Sequence, residues 1–445
     1  MKKEFWLLTG SVVLTVAVAL GVIRWLAPGL LGGPTDMQLV QLDEKVPAFY
    51  EGIFRIENLR EEVPQFKDPI TRIRNRPFML FTGGMGPHDV LGFRNRQVPL
   101  VADVVTIGDS MTYGNNALME HAWPGVMHDA IGPDTTEVYN ISTGGWAATQ
   151  YLYMFAKAIM FKPRTVVVAY YTGNDPLETF AMVYGNEQWQ WLIPDDALTR
   201  EDAPKVEYPV PEAQRWRVTF SDGVEAAFTP TLRLASNSDH PAVNAGFEIM
   251  AMTAEQIGEL AARAGTSLVF TIIPTKELVY ANKVAQAGLD VPADYDKLVR
   301  REQENIDALA SRMRAVPGAR YIDVVTPLQQ AALEPVNLYT STINGHPDAA
   351  GYRVIGETVA KGIGELLPAR PAGLYLLTAG DLTHLVLVSP EGVWYFDSTE
   401  LAEANGWPPG EVSTVSSRDL AGLTHRGIID TVDTSRFGPA CCNAH

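Results

Sequence analysis

Cysteine is almost absent from this chain of 445 residues: there are two, Cys441 and Cys442, adjacent near its end. That number and spacing exclude a disulfide framework and a thiolate metal site. The pair reads as incidental tail residues, with linkage to another chain or another modification as the sharper alternative. Missing as well are a His-Glu-x-x-His pattern, spaced Cys/His ligands, a phosphate-binding Walker loop and a dinucleotide glycine fingerprint. No metal and no cofactor is therefore expected. Positive charge is also scarce. Lys and Arg total 35 against 52 Asp and Glu, a formal charge of −17, with no basic cluster to offset it locally. Such a chain repels nucleic acid, and nucleic-acid binding is excluded on that ground.

What the chain does have is an ordinary globular composition, 46% hydrophobic and 20% charged, in a length that exceeds the ~250–300 residues one core usually spans. More than one folded unit is expected. Phe5 to Ile23 is apolar or small throughout, preceded by Lys2 and Lys3 and followed by Arg24. As a helix it would reach ~28 Å, close to the hydrocarbon thickness of a bilayer. The lysines favour a cytoplasmic N-terminus. Residues 1–34 are thus expected to be a single-pass membrane anchor and linker, with everything beyond about 35 outside the cytoplasm. A cleaved signal peptide is the competing reading, because Ala17-Val18-Ala19 resembles a cleavage site.

Beyond the anchor, short apolar runs at 103–108, 137–142, 165–171, 267–273 and 319–324 read as strands. Helical stretches at 147–161, 246–264, 295–314 and 347–366 alternate with them. Buried strands alternating with helices predict an α/β fold, a parallel sheet covered on both faces, within a domain spanning 35–367. Catalytic groups should then gather at the strand C-termini. Residues 176–245 break the alternation. Arg215 to Phe220 before Ser221-Asp222-Gly223 suggests a β-hairpin within an insertion placed to act as a substrate lid or as a packing elaboration. After a linker at Pro368 to Gly373, residues 372–437 read as a small, mostly β module. There Leu374 to Leu377 and Leu385 to Val388 would be strands flanking Thr378 to His384. Its pattern looks like a short module appended to some bacterial surface proteins. No catalytic constellation is found there, and a structural module, or an interaction module for a protein or surface partner, is the expectation.

Four ordered blocks carry the chemistry. The first is Thr106-Ile107-Gly108-Asp109-Ser110-Met111-Thr112-Tyr113-Gly114, where a strand ends and Ser110 would project from its C-terminal edge. The second is Tyr139-Asn140-Ile141-Ser142-Thr143-Gly144-Gly145-Trp146, the third Thr172-Gly173-Asn174-Asp175, and the last Asn344-Gly345-His346-Pro347-Asp348-Ala349-Ala350-Gly351-Tyr352. Singly, each is also an ordinary turn composition. In this order they resemble the SGNH/GDSL hydrolase family over roughly residues 100–366. The resemblance implies a three-layer α/β/α, flavodoxin-like sandwich and a serine esterase acting on an acyl ester. It also implies Ser110 as nucleophile, His346 as its base, and an oxyanion hole formed by the Ser110 N–H, the Gly145 N–H and the Asn174 side chain. The chemical types fit these roles: a neutral imidazole can accept the serine proton, and an amide donates without titrating. His88, His121, His240, His384 and His425 lie in no comparable motif.

One position departs from the family pattern. An Asp is expected two or three residues before the histidine, and Ile343 and Asn344 stand there instead. Asn344 could orient His346 through its side-chain oxygen without offering the full negative charge that stabilises an imidazolium. A Ser-His dyad, or help from Asp348 or Asp109, stays open. Envelope carbohydrate esters and lipid esters are the candidate substrates. O-acyl transfer to an envelope polysaccharide is the alternative, because Ile272 to Tyr280 resembles a stretch of exported SGNH-like acetyltransferases of exopolysaccharide pathways. A non-catalytic envelope scaffold that keeps the fold is the third reading.

Overall fold

A computed structural model describes residues 65–79, 85–99, 102–132, 136–367, 373–379, 382–389, 392–407, 412–416, 420 and 425–439. The segment read as an anchor and linker, residues 368–372 and the two cysteines lie outside these. Among the described residues no helix is long and apolar enough to cross a membrane.

The described chain opens with an antiparallel hairpin, β1 (Gln65–Asp68) and β2 (Arg72–Asn75). The main domain follows as β3 (Val104–Gly108), α1 (Ser110–Tyr113), α2 (Trp123–Ile131), β4 (Val138–Ser142), α3 (Ala148–Ala158), β5 (Thr165–Tyr171) and α4 (Asp175–Gly185). Then come the hairpin β6 (Trp216–Thr219) and β7 (Glu225–Phe228), α5 (Pro230–Ala235), α6 (Pro241–Ala264), β8 (Ser267–Ile273), α7 (Lys276–Val279), α8 (Ala293–Ala315), β9 (Ala319–Ile322) and α9 (Ala349–Ile363).

Strands β3, β4, β5, β8 and β9 form one five-stranded sheet in the order β4-β3-β5-β8-β9, and every neighbouring pair is parallel. All of β3 and β5 is buried, as a strand covered on both faces must be. On one face Val104, Val167 and Val269 share a core cluster with Trp123 and Met127 of α2 and Ile355 of α9. On the other, α3 contacts β3 and β5, while α6 and α8 pack together against β8. The result is the expected three-layer α/β/α sandwich. Because order along the sheet reverses direction around β3, the loops after β3, β4 and β5 open side by side at one edge.

The break in alternation at 176–245 holds more than the hairpin at 215–223. The segment after β5 continues as α4, and α5 and the start of α6 also fall in the range. The β6–β7 hairpin is pinned by aromatic packing, with the Trp216 ring 4.7 Å from Tyr295 and Phe228 6.0 Å from Tyr280.

The C-terminal segments β10 (Gly373–Ala379), β11 (Leu382–Ser389), β12 (Gly392–Phe396), β13 (Ser413–Ser416) and β14 (His425–Ile429) form a second sheet ordered β13-β10-β11-β12-β14, with α10 (Thr399–Ala404) after β12. The antiparallel register pairs Leu377 with His384, Thr378 with Thr383 and Ala379 with Leu382, so both strands extend into the polar stretch expected to separate them. Ladder pairing satisfies the backbone of those residues whatever their side chains.

Candidate active site

Ser110 is placed by a tight sequence of backbone devices. Asp109 ends the strand loop and caps α1, its Oδ1 accepting the Met111 N–H at 2.8 Å. Gly114 closes the helix in the left-handed conformation with its N–H on the Ser110 carbonyl at 3.1 Å. The turn after β4 lies alongside: a Cβ on Gly144 would sit 3.5 Å from the Ser110 Cβ. Gly145 has a φ of +82°, a conformation that favours glycine, and a Cβ there would meet Ile73 at 3.1 Å. Backbone geometry thus requires glycine at the position assigned to the oxyanion hole. Asn174 follows β5 at the start of α4. It is half-buried, and its side-chain oxygen does not cap that helix.

His346 comes from far along the chain, in the loop before α9, and its Nε2 lies 2.7 Å from the Ser110 Oγ. Its Nδ1 is 2.7 Å from the Asn344 Oδ1, and the Asn344 Nδ2 donates to the Asn116 Oδ1 at 2.8 Å. That second bond orients the amide, so its oxygen faces the imidazole. A neutral ring then donates from Nδ1 and presents Nε2 as acceptor to the serine hydroxyl. Burial, helped by the positive charge of Arg233, lowers the His346 pKa to about 4, which keeps the ring neutral at ordinary pH.

The loop is fastened on several sides. The Asp348 N–H bonds the Leu338 carbonyl at 3.0 Å, the Asn116 Nδ2 bonds the His346 carbonyl at 3.2 Å, and the Tyr352 hydroxyl bonds the Asn115 carbonyl at 2.9 Å. Lys276, 1% exposed, donates to the carbonyls of Thr342 at 2.7 Å and Asn344 at 3.1 Å. Burial lowers its pKa to about 8.

The acids considered as helpers are engaged otherwise. Asp348 caps α9, its Oδ1 accepting the N–H groups of Ala350 and Gly351. Asp109 is fully buried under Ser110, 3.4 Å from its Oγ, and burial pushes its pKa up to about 7. A group that titrates so high is a weak source of fixed negative charge. Of the other histidines, His88 is buried on the Tyr113 hydroxyl at 2.7 Å, and His425 pairs with Tyr395 in the C-terminal sheet.

Reading the sequence had not singled out Asn116, Lys276 or Arg233 as individual site residues. Asn116 carries a faint signal, the second Asn of Gly114-Asn115-Asn116 in a turn, here at a φ of +73°. Lys276 lies in the Ile272 to Tyr280 stretch, where only its tertiary contacts reveal what it holds. Among the described residues no group of His, Cys, Asp and Glu is arranged to hold a metal ion.

No protein-family model matches the chain, and no curated protein matches it. Solved structures similar to it include a putative acylhydrolase from Bacteroides fragilis, 13% identical, with 59% of this chain and 87% of that one covered at a TM-score of 0.32. A GDSL-like lipase from Bacteroides thetaiotaomicron is 13% identical over 59% and 87% of the two chains, TM-score 0.31. A catalytic mutant of an acetylxylan esterase from Geobacillus stearothermophilus is 12% identical over 60% and 97%, TM-score 0.33. At such distance any functional reading rests on the site's own geometry.

Proposed function

We propose that the protein is a serine esterase of the SGNH/GDSL type. The observation that carries this reading is the 2.7 Å contact between the Ser110 Oγ and the His346 Nε2, made by residues from opposite ends of the domain at the C-terminal edge of a parallel sheet. In the proposed reaction His346 takes the Ser110 proton as Oγ attacks the acyl carbon. The N–H groups of Ser110 and Gly145 and the Asn174 amide receive the developing oxyanion. His346 returns the proton to the leaving alcohol, and water then attacks the acyl-serine by the same route. Asn344 orients the imidazole and adds no charge. Ser110 and His346 thus work as a dyad held by an amide, with slow basal turnover as the consequence.

The substrate is proposed to be an acyl ester of an envelope carbohydrate or lipid, because the Phe5 to Ile23 run is read as an anchor that sends the domain out of the cytoplasm. Added protease should digest the domain in intact spheroplasts; protection until lysis would reverse that orientation. The chemical reading is tested by turnover of an activated acetyl ester by the wild type and by Ser110→Ala, with free acetate measured in the presence and absence of a sugar acceptor. Acetate release that disappears in the variant supports hydrolysis. Acetyl appearing on the sugar instead would assign O-acyl transfer, and equal rates in the two proteins would refute both.

A further inference from the structure

A cation that belongs to none of the four blocks stands beside the site. Arg233, on α5, donates from Nη1 to the Gly173 carbonyl at 3.2 Å, one residue before Asn174. On the other side its Nη2 lies 2.5 Å from the point a Cβ on Gly345 would occupy, one residue before His346. The guanidinium is therefore lodged between the turns that carry the proposed oxyanion donor and the proposed base.

Arg233 has no ion-pair partner among the described residues. The groups that act on it through space are Tyr171, Glu277, Glu302 and Asp109. Burial raises two of these acids, Glu302 and Asp109, to about 7, and Glu277 accepts the Thr229 N–H at 2.7 Å; together the four groups hold the Arg233 pKa above its ordinary value despite burial, without any of them pairing with it directly. Next to the guanidinium is a second incomplete group. Tyr171 is 2% exposed and its hydroxyl has no hydrogen-bond partner, although it lies 3.5 Å from the same Gly345 point. Buried hydroxyls are normally paired, so an orphan here marks a place that something else completes.

The charge on Arg233 also reaches His346, whose pKa it lowers alongside burial. A positive charge near His346 opposes formation of the imidazolium, and the neutral Asn344 does nothing to offset it. An anion resting on Arg233 would cancel that opposition. Resting on the ester-hydrolysis reading, we infer that Arg233 determines specificity by holding an anionic group, carboxylate or phosphate, that the substrate carries next to its ester. The same group supplies the negative charge near His346 that Asn344 lacks.

Three matched acetyl esters test this: one neutral, one bearing a carboxylate beside the ester and one bearing a phosphate there. The wild type should show kcat/KM at least about tenfold higher on one of the anionic esters than on the neutral one, as a charge-assisted hydrogen bond predicts. The better of the two identifies the anion. Added salt should shrink the preference, Arg233→Gln should collapse it, and Arg233→Lys should keep part of it. Because the first comparison uses only the wild type, it stands even if a variant fails to fold. Equal turnover of the neutral and both anionic esters overturns the inference and leaves the esterase reading intact. No turnover of any ester removes the esterase reading, and the inference falls with it.

Discussion

The two five-stranded sheets pair their strands differently: all four neighbouring pairs are parallel in the main sheet, whereas two are antiparallel and two parallel in the C-terminal one. In the main sheet every pairing is parallel, so each strand ends at the same edge and is followed by a loop there. Ser110, Gly145, Asn174 and Lys276 follow four different strands of this sheet, each at its C-terminal end. In the C-terminal sheet, β10 to β12 are joined as antiparallel hairpins, and successive turns fall at opposite edges. Its histidine His425 lies 2.7 Å from the Tyr395 hydroxyl, and among the described residues no serine hydroxyl contacts it as Ser110 contacts His346. Strand direction, more than composition, decides which sheet can concentrate chemistry.

The strongest way to break this contrast is to remove the base. His346→Ala should lower kcat on an activated ester by roughly 10³-fold, within the range a positioned general base contributes, while the circular dichroism of the sheet is kept. A loss of only two- or threefold would mean that another group takes the serine proton.

Asn344→Asp probes the same point from the other side. A carboxylate in hydrogen-bond contact with Nδ1 should stabilise the imidazolium and raise kcat about tenfold or more, with little change in KM. In the wild type the His346 pKa of about 4 predicts that kcat/KM holds as pH falls through 6 and declines only near 4, since a lowered pKa preserves the neutral base further into acid. The new carboxylate should move that acid limb upward. A folded Asn344→Asp enzyme that is no faster, with an unshifted limb, would assign Asn344 a different role.

A smaller effect is expected from Lys276→Met, which removes the donor from the Thr342 and Asn344 carbonyls. Unpaired buried acceptors cost roughly 1–3 kcal/mol, and the loosened loop should lower kcat several-fold more than it raises KM. Thermal unfolding and steady-state kinetics together check this. Smallest of all, ending the chain after residue 367 should change turnover of a small soluble ester by less than about twofold, because the proposed site residues all precede it. A folded but inactive truncation would show that the second sheet completes the site.

Much of the main sheet was legible in the sequence because a strand buried on both faces must be apolar throughout. The runs at 104–108, 165–171 and 267–273 are of that kind. The helix Trp123–Ile131 was not read, since Pro124 and Gly125 at its start mask its period, nor was the β1–β2 hairpin, where Arg, Asn and Asp interrupt the alternation. Ser110, Gly145, Asn174 and His346 were singled out by the family resemblance of their local motifs. Asn116, Lys276 and Arg233 were not, because each acts through a contact with a distant segment that leaves no local pattern.

Covalent labelling tests the central claim most directly. A fluorophosphonate reacts with a serine hydroxyl whose proton has a base to go to and whose oxyanion has donors waiting. The full-length protein should gain one label, located at Ser110 by peptide mass, and both Ser110→Ala and His346→Ala should resist it. A folded wild type that stays unlabelled, or a label found on another residue, would contradict the assignment of Ser110 and His346 as the reacting pair.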